Sequence, residues 1–242
     1  MKAVVFVGPS LSGHPILASK DFAWRPPASE GDIYRASLKR PKAIGLIDGQ
    51  FESVPSVWHK EILWALSKGI AVFGAASMGA LRAAELDRFG MTGIGAIYEA
   101  FRNGRYTDDD EVAVLHAPKA LAFRPLSVAM ADIRATIAAA RRAEAVSPGT
   151  AALVLHIAKT TFFKERDWDL ILGHPELARM KREISRLRRW LAGNMVEQKR
   201  EDALLLLQAL RLFEPRPDAP FCPNFEFQST VFWRALRRRH AG

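Results

Sequence analysis

Residues 70–86, Ile-Ala-Val-Phe-Gly-Ala-Ala-Ser-Met-Gly-Ala-Leu-Arg-Ala-Ala-Glu-Leu, constrain the fold more than any other stretch of the chain. An apolar run suited to a buried strand passes through small residues straight into a helical pattern that opens at Ser77. Gly74, Ala75, Ala76 and Gly79 keep side-chain bulk out of the junction, so strand and helix can pack closely. Ser77 then stands at a helix N-terminus beside the amides of Met78 and Gly79, which lack helical partners. Two readings stay open there. Serine is a favoured helix cap, and a hydroxyl next to such amides is also the beginning of nucleophile-and-oxyanion chemistry.

The same rhythm appears upstream. Strands are expected at residues 2–7, 43–47 and 70–73, with helices at 57–68 and 78–87, which predicts a parallel sheet with right-handed crossovers. Ligands gather beyond the C-terminal ends of such strands. Those ends carry Gly8-Pro9-Ser10-Leu11-Ser12-Gly13, the turn Asp48-Gly49, and Ser77. Ala75-x-Ser77-x-Gly79 departs from the Gly-x-Ser-x-Gly nucleophile elbow at its first position. Ser10 and Asp48 also suit plain turn chemistry.

Residues 21–41 read as a long connection with a short helical hint at 33–38, residues 90–95 as a loop, and 97–102 as a short helix. An acidic turn at 107–111 precedes a last possible strand at 112–116, and everything after Pro125 looks helical. Leu177, Met180, Ile184, Leu187 and Leu191 keep a clean three-four spacing. The expected class is α/β: an N-terminal open parallel sheet with crossover helices, followed by a mainly α-helical C-terminal region. The expected divisions are an α/β core over 1–124, a helical region packed on it over 125–213, and a proline-rich, then basic and aromatic, tail over 214–242.

In helix 57–68 the apolar sector holds Trp58, Ile62, Ala65 and Leu66, while Lys60, Glu61, Ser67 and Lys68 lie on the other side. Leu63 and Trp64 flank Lys60, so this helix is apolar nearly all round and is expected to be covered on both sides. His59 lies at the edge of the apolar sector, as a structural histidine would. Arg82 and Glu85 are three apart on the helix after Ser77, the spacing of an intrahelical ion pair or of groups that position a substrate.

Of the 242 residues, one is a cysteine, Cys222, so no internal disulfide or CxxC metal site is possible. The opening apolar run of five is too short for a signal peptide or membrane span, and a cytoplasmic protein with no membrane partner is expected. The net charge of +9 calls for an acidic partner. Between Arg179 and Arg200 eight basic residues face two acidic ones, a pattern fitting either a solvated helix face or a docking surface. Charge alone would admit nucleic acid, but zinc modules, helix-turn-helix spacing and RRM aromatics are missing, so no nucleic-acid partner is expected.

Four stretches together resemble the TfuA family: Phe6-Val7-Gly8-Pro9-Ser10-Leu11, Ile47-Asp48-Gly49-Gln50-Phe51, Val57-Trp58-His59-Lys60-Glu61-Ile62-Leu63, and Ala76-Ser77-Met78-Gly79-Ala80-Leu81-Arg82-Ala83-Ala84-Glu85-Leu86. The likeness is close over residues 4–116 and is echoed at 161–168 and 198–203. The resemblance implies a partner of YcaO enzymes in peptide backbone thioamidation. In that role the protein hydrolyses the C-terminal thiocarboxylate of a ThiS-like ubiquitin-fold sulfur carrier, delivers sulfide, and helps YcaO bind its precursor peptide. It further implies a Ser–Lys pair, here Ser77 and Lys60, with Ser10 as a competing serine. Ser10, Asp48, Gly49, Met78, Gly79, His59, Arg82 and Glu85 are then the expected oxyanion and substrate-binding residues. No cofactor or metal is expected. The alternative is a non-catalytic adaptor that holds YcaO and its peptide.

Overall fold

The computed structural model describes residues 2–51, 54–215 and 223–240. Cys222 and most of the proline-rich stretch before it lie outside these residues. Five strands, β1 (Ala3–Phe6), β2 (Phe22–Arg25), β3 (Ile44–Leu46), β4 (Val72–Ala75) and β5 (Thr92–Ile94), form one sheet in the order β2-β1-β3-β4-β5. Every neighbouring pair is parallel. Helices α1 (Asp32–Leu38), α2 (His59–Ser67) and α3 (Met78–Leu86) connect β2 to β5, and α4 (Ala96–Arg102) follows β5. The expected α/β class is therefore what the chain adopts.

The central strands β1, β3 and β4 are buried throughout, as continuous apolar runs in a covered parallel sheet should be. The two outer strands correct the sequence reading. Phe22–Arg25 lies within what reads as a connection, and Thr92–Ile94 within what reads as a loop. Among the described residues each pairs on one side only, so neither needs the two-faced apolar run that marks a central strand. Residues 112–116 form no strand: His116 makes a single antiparallel bridge to Pro125.

The chain divides into two compact units, residues 1–107 with 200–242, and residues 108–199. The expected boundary at 124 falls inside the second unit and that at 213 inside the first. In the first unit, α9 (Gln198–Leu212) lays Ala203, Leu206, Leu207 and Leu210 on one face of the sheet, against Val5, Ile47, Phe73 and Ala75. The opposite face carries α1, α2 and α3.

A third layer lies outside α1 and α2. Helix α10 (Val231–His240) buries Trp233 and Leu236 in a cluster with Tyr34, Trp58, Trp64 and Phe227. The Trp64 ring lies 5.5 Å from Trp233 and 5.3 Å from Phe227. This explains why α2 is apolar on its outward side: its own chain covers it.

The second unit packs α5 (Met130–Arg142), α6 (Pro148–Thr160), α7 (Trp168–Leu172) and α8 (Lys181–Asn194) around Met130, Ile133, Ile137, Val154, Ile157 and Leu187. The three-four rhythm buries Leu177, Ile184, Leu187 and Leu191 as expected, although residues 175–180 wind as a tighter 3-10 turn before α8. The acidic turn is structural. Lys159 brings its ammonium to Asp108 at 3.0 Å, to Glu111 at 3.0 Å and to Asp110, while Arg134 grips Glu111 with two bonds of 2.8 and 2.9 Å. Arg166, only 1% exposed, donates to the carbonyls of Ala158 and Asp110 and pairs with the Asp110 carboxylate. Burial alone would push Asp110 up, but its bonds from Lys159 and Arg166 hold it below the usual carboxylate range.

Candidate active site

Three neighbouring strands deliver three polar residues to one edge of the sheet. β1 runs into a 3-10 turn at Pro9–Leu11, β3 into Asp48-Gly49, and β4 into Ala76-Ser77. Strand order changes direction between β1 and β3, the switch point at which open α/β sheets form their crevice.

Asp48 is 1% exposed and commits both oxygens to the β1 loop. Its Oδ2 accepts from the Gly8 and Ser10 amides at 2.8 and 3.1 Å, and Oδ1 accepts from the Ser10 hydroxyl at 2.7 Å. Ser10 and Asp48 thus form one buried unit. Gly49, the next residue, lies flat against Met78: a Cβ there would sit 2.7 Å from Met78 Cγ.

Ser77 is 2% exposed and opens α3. Ala76 before it has φ of +66°, a left-handed conformation unusual for a residue with a Cβ, so the strand turns sharply onto the helix. The Ser77 amide donates to the Ala75 carbonyl at 2.7 Å, and the Ser77 carbonyl accepts from Ala80 at 2.9 Å. Its side chain does not cap α3. Of the two amides beside it, that of Gly79 already donates to the Ile47 carbonyl at 3.2 Å.

The residues of α2 divide between two neighbours. His59 Nε2 lies 2.7 Å from Glu85 Oε2 on α3, and Arg82 Nη1 is 2.8 Å from the same oxygen. Arg82 also donates from Nε to the Val57 carbonyl at 3.1 Å, so it anchors the entry to α2 as well as pairing within its own helix. Burial pushes Glu85 up, but His59 and the Arg82 guanidinium outweigh it and hold the carboxyl below its ordinary range. Lys60 is not gathered with this group. It sits opposite Ile62, Ala65 and Leu66, the buried apolar residues of α2, and its ammonium lies 5.3 Å from the centre of the Phe227 ring.

Glu61 is the residue that helical counting misplaced. Expected on the polar side, it is fully buried and accepts from the Tyr34 and Trp58 amides, both at 3.2 Å, and from Gly31. It reaches back to the residue that caps α2 and across to the start of α1. Burial pushes its carboxyl up to about 7, the three amides pulling the other way with less effect. Between its ordinary 4.5 and about 7 the folded chain holds a proton that the unfolded chain has released. Stability is therefore greatest below that window and falls as pH rises through it, by about 3 kcal/mol in all. Glu61→Gln should flatten this slope, so that urea midpoints at about pH 5 and about pH 8 differ less than in the parent; an unchanged slope would assign it to another group.

A family model described as TfuA-like protein matches residues 48–167, a span containing Asp48, Lys60, Ser77 and the Asp110–Arg166 cluster. The chain belongs to this family. A search of curated proteins returns no match. Within the TfuA-like match lie two of the three strand ends that build the site, Asp48-Gly49 and Ala76-Ser77; the Ser10 loop precedes it. Among the described residues no helix is long and apolar enough to cross a membrane.

Proposed function

We propose that this TfuA-like protein serves YcaO-dependent thioamidation of peptide backbones. On this reading it hydrolyses the C-terminal thiocarboxylate of a ThiS-like ubiquitin-fold carrier and delivers sulfide to a YcaO enzyme acting on its precursor peptide. The observation that carries the reading is Ser77: a buried hydroxyl behind a left-handed residue, at the head of a helix that follows β4, the strand neighbouring the one that leads to the Ser10–Asp48 pair.

The Ser77 oxygen attacks the thiocarboxyl carbon while Lys60, as free amine, takes its proton. The Met78 amide and the positive end of α3 meet the charge on the carbonyl oxygen, since the Gly79 amide is committed to Ile47. The C–S bond breaks and sulfide leaves as HS⁻ with the proton from Lys60. Water then cleaves the Ser77 ester, releasing the carrier carboxylate. For Lys60 to act, its side chain has to leave Phe227 when the carrier docks.

Ser77→Ala and Lys60→Ala should each lower sulfide release from thiocarboxylated carrier at least about a hundredfold, some 2.7 kcal/mol, with carrier affinity unchanged. The position of Lys60 on the Phe227 ring favours a second reading, the adaptor, in which Ser77 only shapes the turn. In that case both variants keep full thioamidation in the presence of YcaO. Loss of sulfide release in Ser10→Ala, with Ser77→Ala active, would move the nucleophile to the Asp48-bound hydroxyl.

A further inference from the structure

Among the described residues, strand β2 pairs with β1 alone and ends the sheet. Its side chains alternate cleanly. Phe22 and Trp24 join the core under α9, which turns Ala23 and Arg25 to the other face, beside Val4 and Phe6 of β1. The crossover from β1 to β2 stays off that face, because its 3-10 turns pack Leu11, Ile16 and Leu17 on the α9 side, and Val4 and Phe6 there are 8% and 3% exposed. Helix α1 borders the space. What remains is a groove of about 330 Å³ with Val4 and Phe6 as its floor, and Ala36 and Leu38 as its far wall.

Its rim is cationic. Arg25, Arg35 and Lys39 line it against one acid, Asp32. That carboxylate is already occupied by the Ser29 amide and hydroxyl, each at 2.8 Å, and by Arg35 at 2.6 Å. Arg25 and Lys39 are exposed, and the Arg25 guanidinium donates at 3.3 Å to the Trp24 carbonyl. Leu38 is 54% exposed at the end of α1, which extends the apolar wall to the surface.

We propose that this groove docks an extended acidic segment of a partner polypeptide, which adds a parallel or antiparallel strand to the open edge of β2. Alternate apolar side chains of the segment lie beside Ala23 on the groove side of the sheet, and its carboxylates meet Arg25 and Lys39. The open main-chain edge and the aliphatic wall fit a polypeptide better than a nucleic acid, which needs aromatic faces for its bases or a longer row of cations for its phosphates.

The test measures anisotropy of a fluorescein-labelled hexapeptide alternating Leu and Glu, with the Leu–Lys counterpart and a labelled single-stranded oligonucleotide as comparisons. Saturable binding of the acidic peptide is expected. Ala23→Trp, which sets an indole on the groove side of β2 where the segment would lie, and the double variant Arg25→Glu, Lys39→Glu should each weaken it about tenfold or more, with melting temperatures near the parent's confirming that both fold. No saturable binding up to about 1 mM, equal binding of the basic peptide, or indifference to both variants overturns the proposal. So does an oligonucleotide that binds more tightly with the same sensitivity to the variants.

Discussion

Gly79→Ala should destabilise the chain by more than about 4 kcal/mol, the reverse of the gain of up to about 1 kcal/mol that replacing a helical glycine by alanine gives in open surroundings. A Cβ on Gly79 would sit 1.8 Å from the carbonyl oxygen of Leu46, 2.6 Å from its carbon, and 3.3 Å from Cα of Gly74. These are backbone atoms of β3 and β4, held on both sides by parallel neighbours, so they cannot yield as a side chain would. The helix must instead lift, which breaks the Gly79 amide bond to Ile47 and draws Ser77 off the sheet edge. Gly149, in the first turn of α6, has open space around its Cβ position and serves as the control: Gly149→Ala should be neutral or stabilising. Chemical unfolding of the two variants gives the comparison, and similar midpoints would show that α3 is not wedged against β3.

Asp48→Ala is expected to cost about 4 kcal/mol, because it strands three buried donors at once: the amides of Gly8 and Ser10 and the Ser10 hydroxyl. Hydrogen bonds to a charged acceptor contribute about 1.5–3 kcal/mol each, and three bonds to one carboxylate add up to less than their sum. Asp48→Asn keeps one acceptor oxygen and should cost roughly half as much, whereas Ser10→Ala removes a single bond and should cost about 1 kcal/mol. A loss below about 1 kcal/mol in Asp48→Ala would mean that the carboxylate does not hold the β1 loop. Ser10 and Ser77 follow the two strands that flank β3, so the same substitution loosens the loop at one side of the site and should lower sulfide release along with stability.

Both effects arise at positions whose roles differ in how openly the chain declares them. The run of small residues around Ser77 announces a close strand-to-helix junction by composition alone. Which atoms they approach is another matter: Leu46 lies more than thirty residues upstream, and its carbonyl becomes the limit on Gly79 only once β3 and β4 pair. Asp48 is readable as a turn residue, but its bonds run to a loop of β1, not to its own backbone.

Periodicity and turn chemistry, which depend on neighbours in the chain, were enough to determine the central strands, the helices between them, and the gathering of Ser10, Asp48 and Ser77 at one sheet edge. Tertiary packing alone decided the rest. Edge strands β2 and β5 exist because a neighbour offers them hydrogen bonds, Glu61 is buried because α1 closes over it, and Lys60 meets Phe227 because α10 returns across α2 from the far end of the chain. A helix wheel can tell which side of α2 turns away from the sheet. It carries no record of what arrives to cover that side, since the covering residues are more than 160 positions distant in sequence and come close only when the hydrophobic surfaces of both segments leave water together.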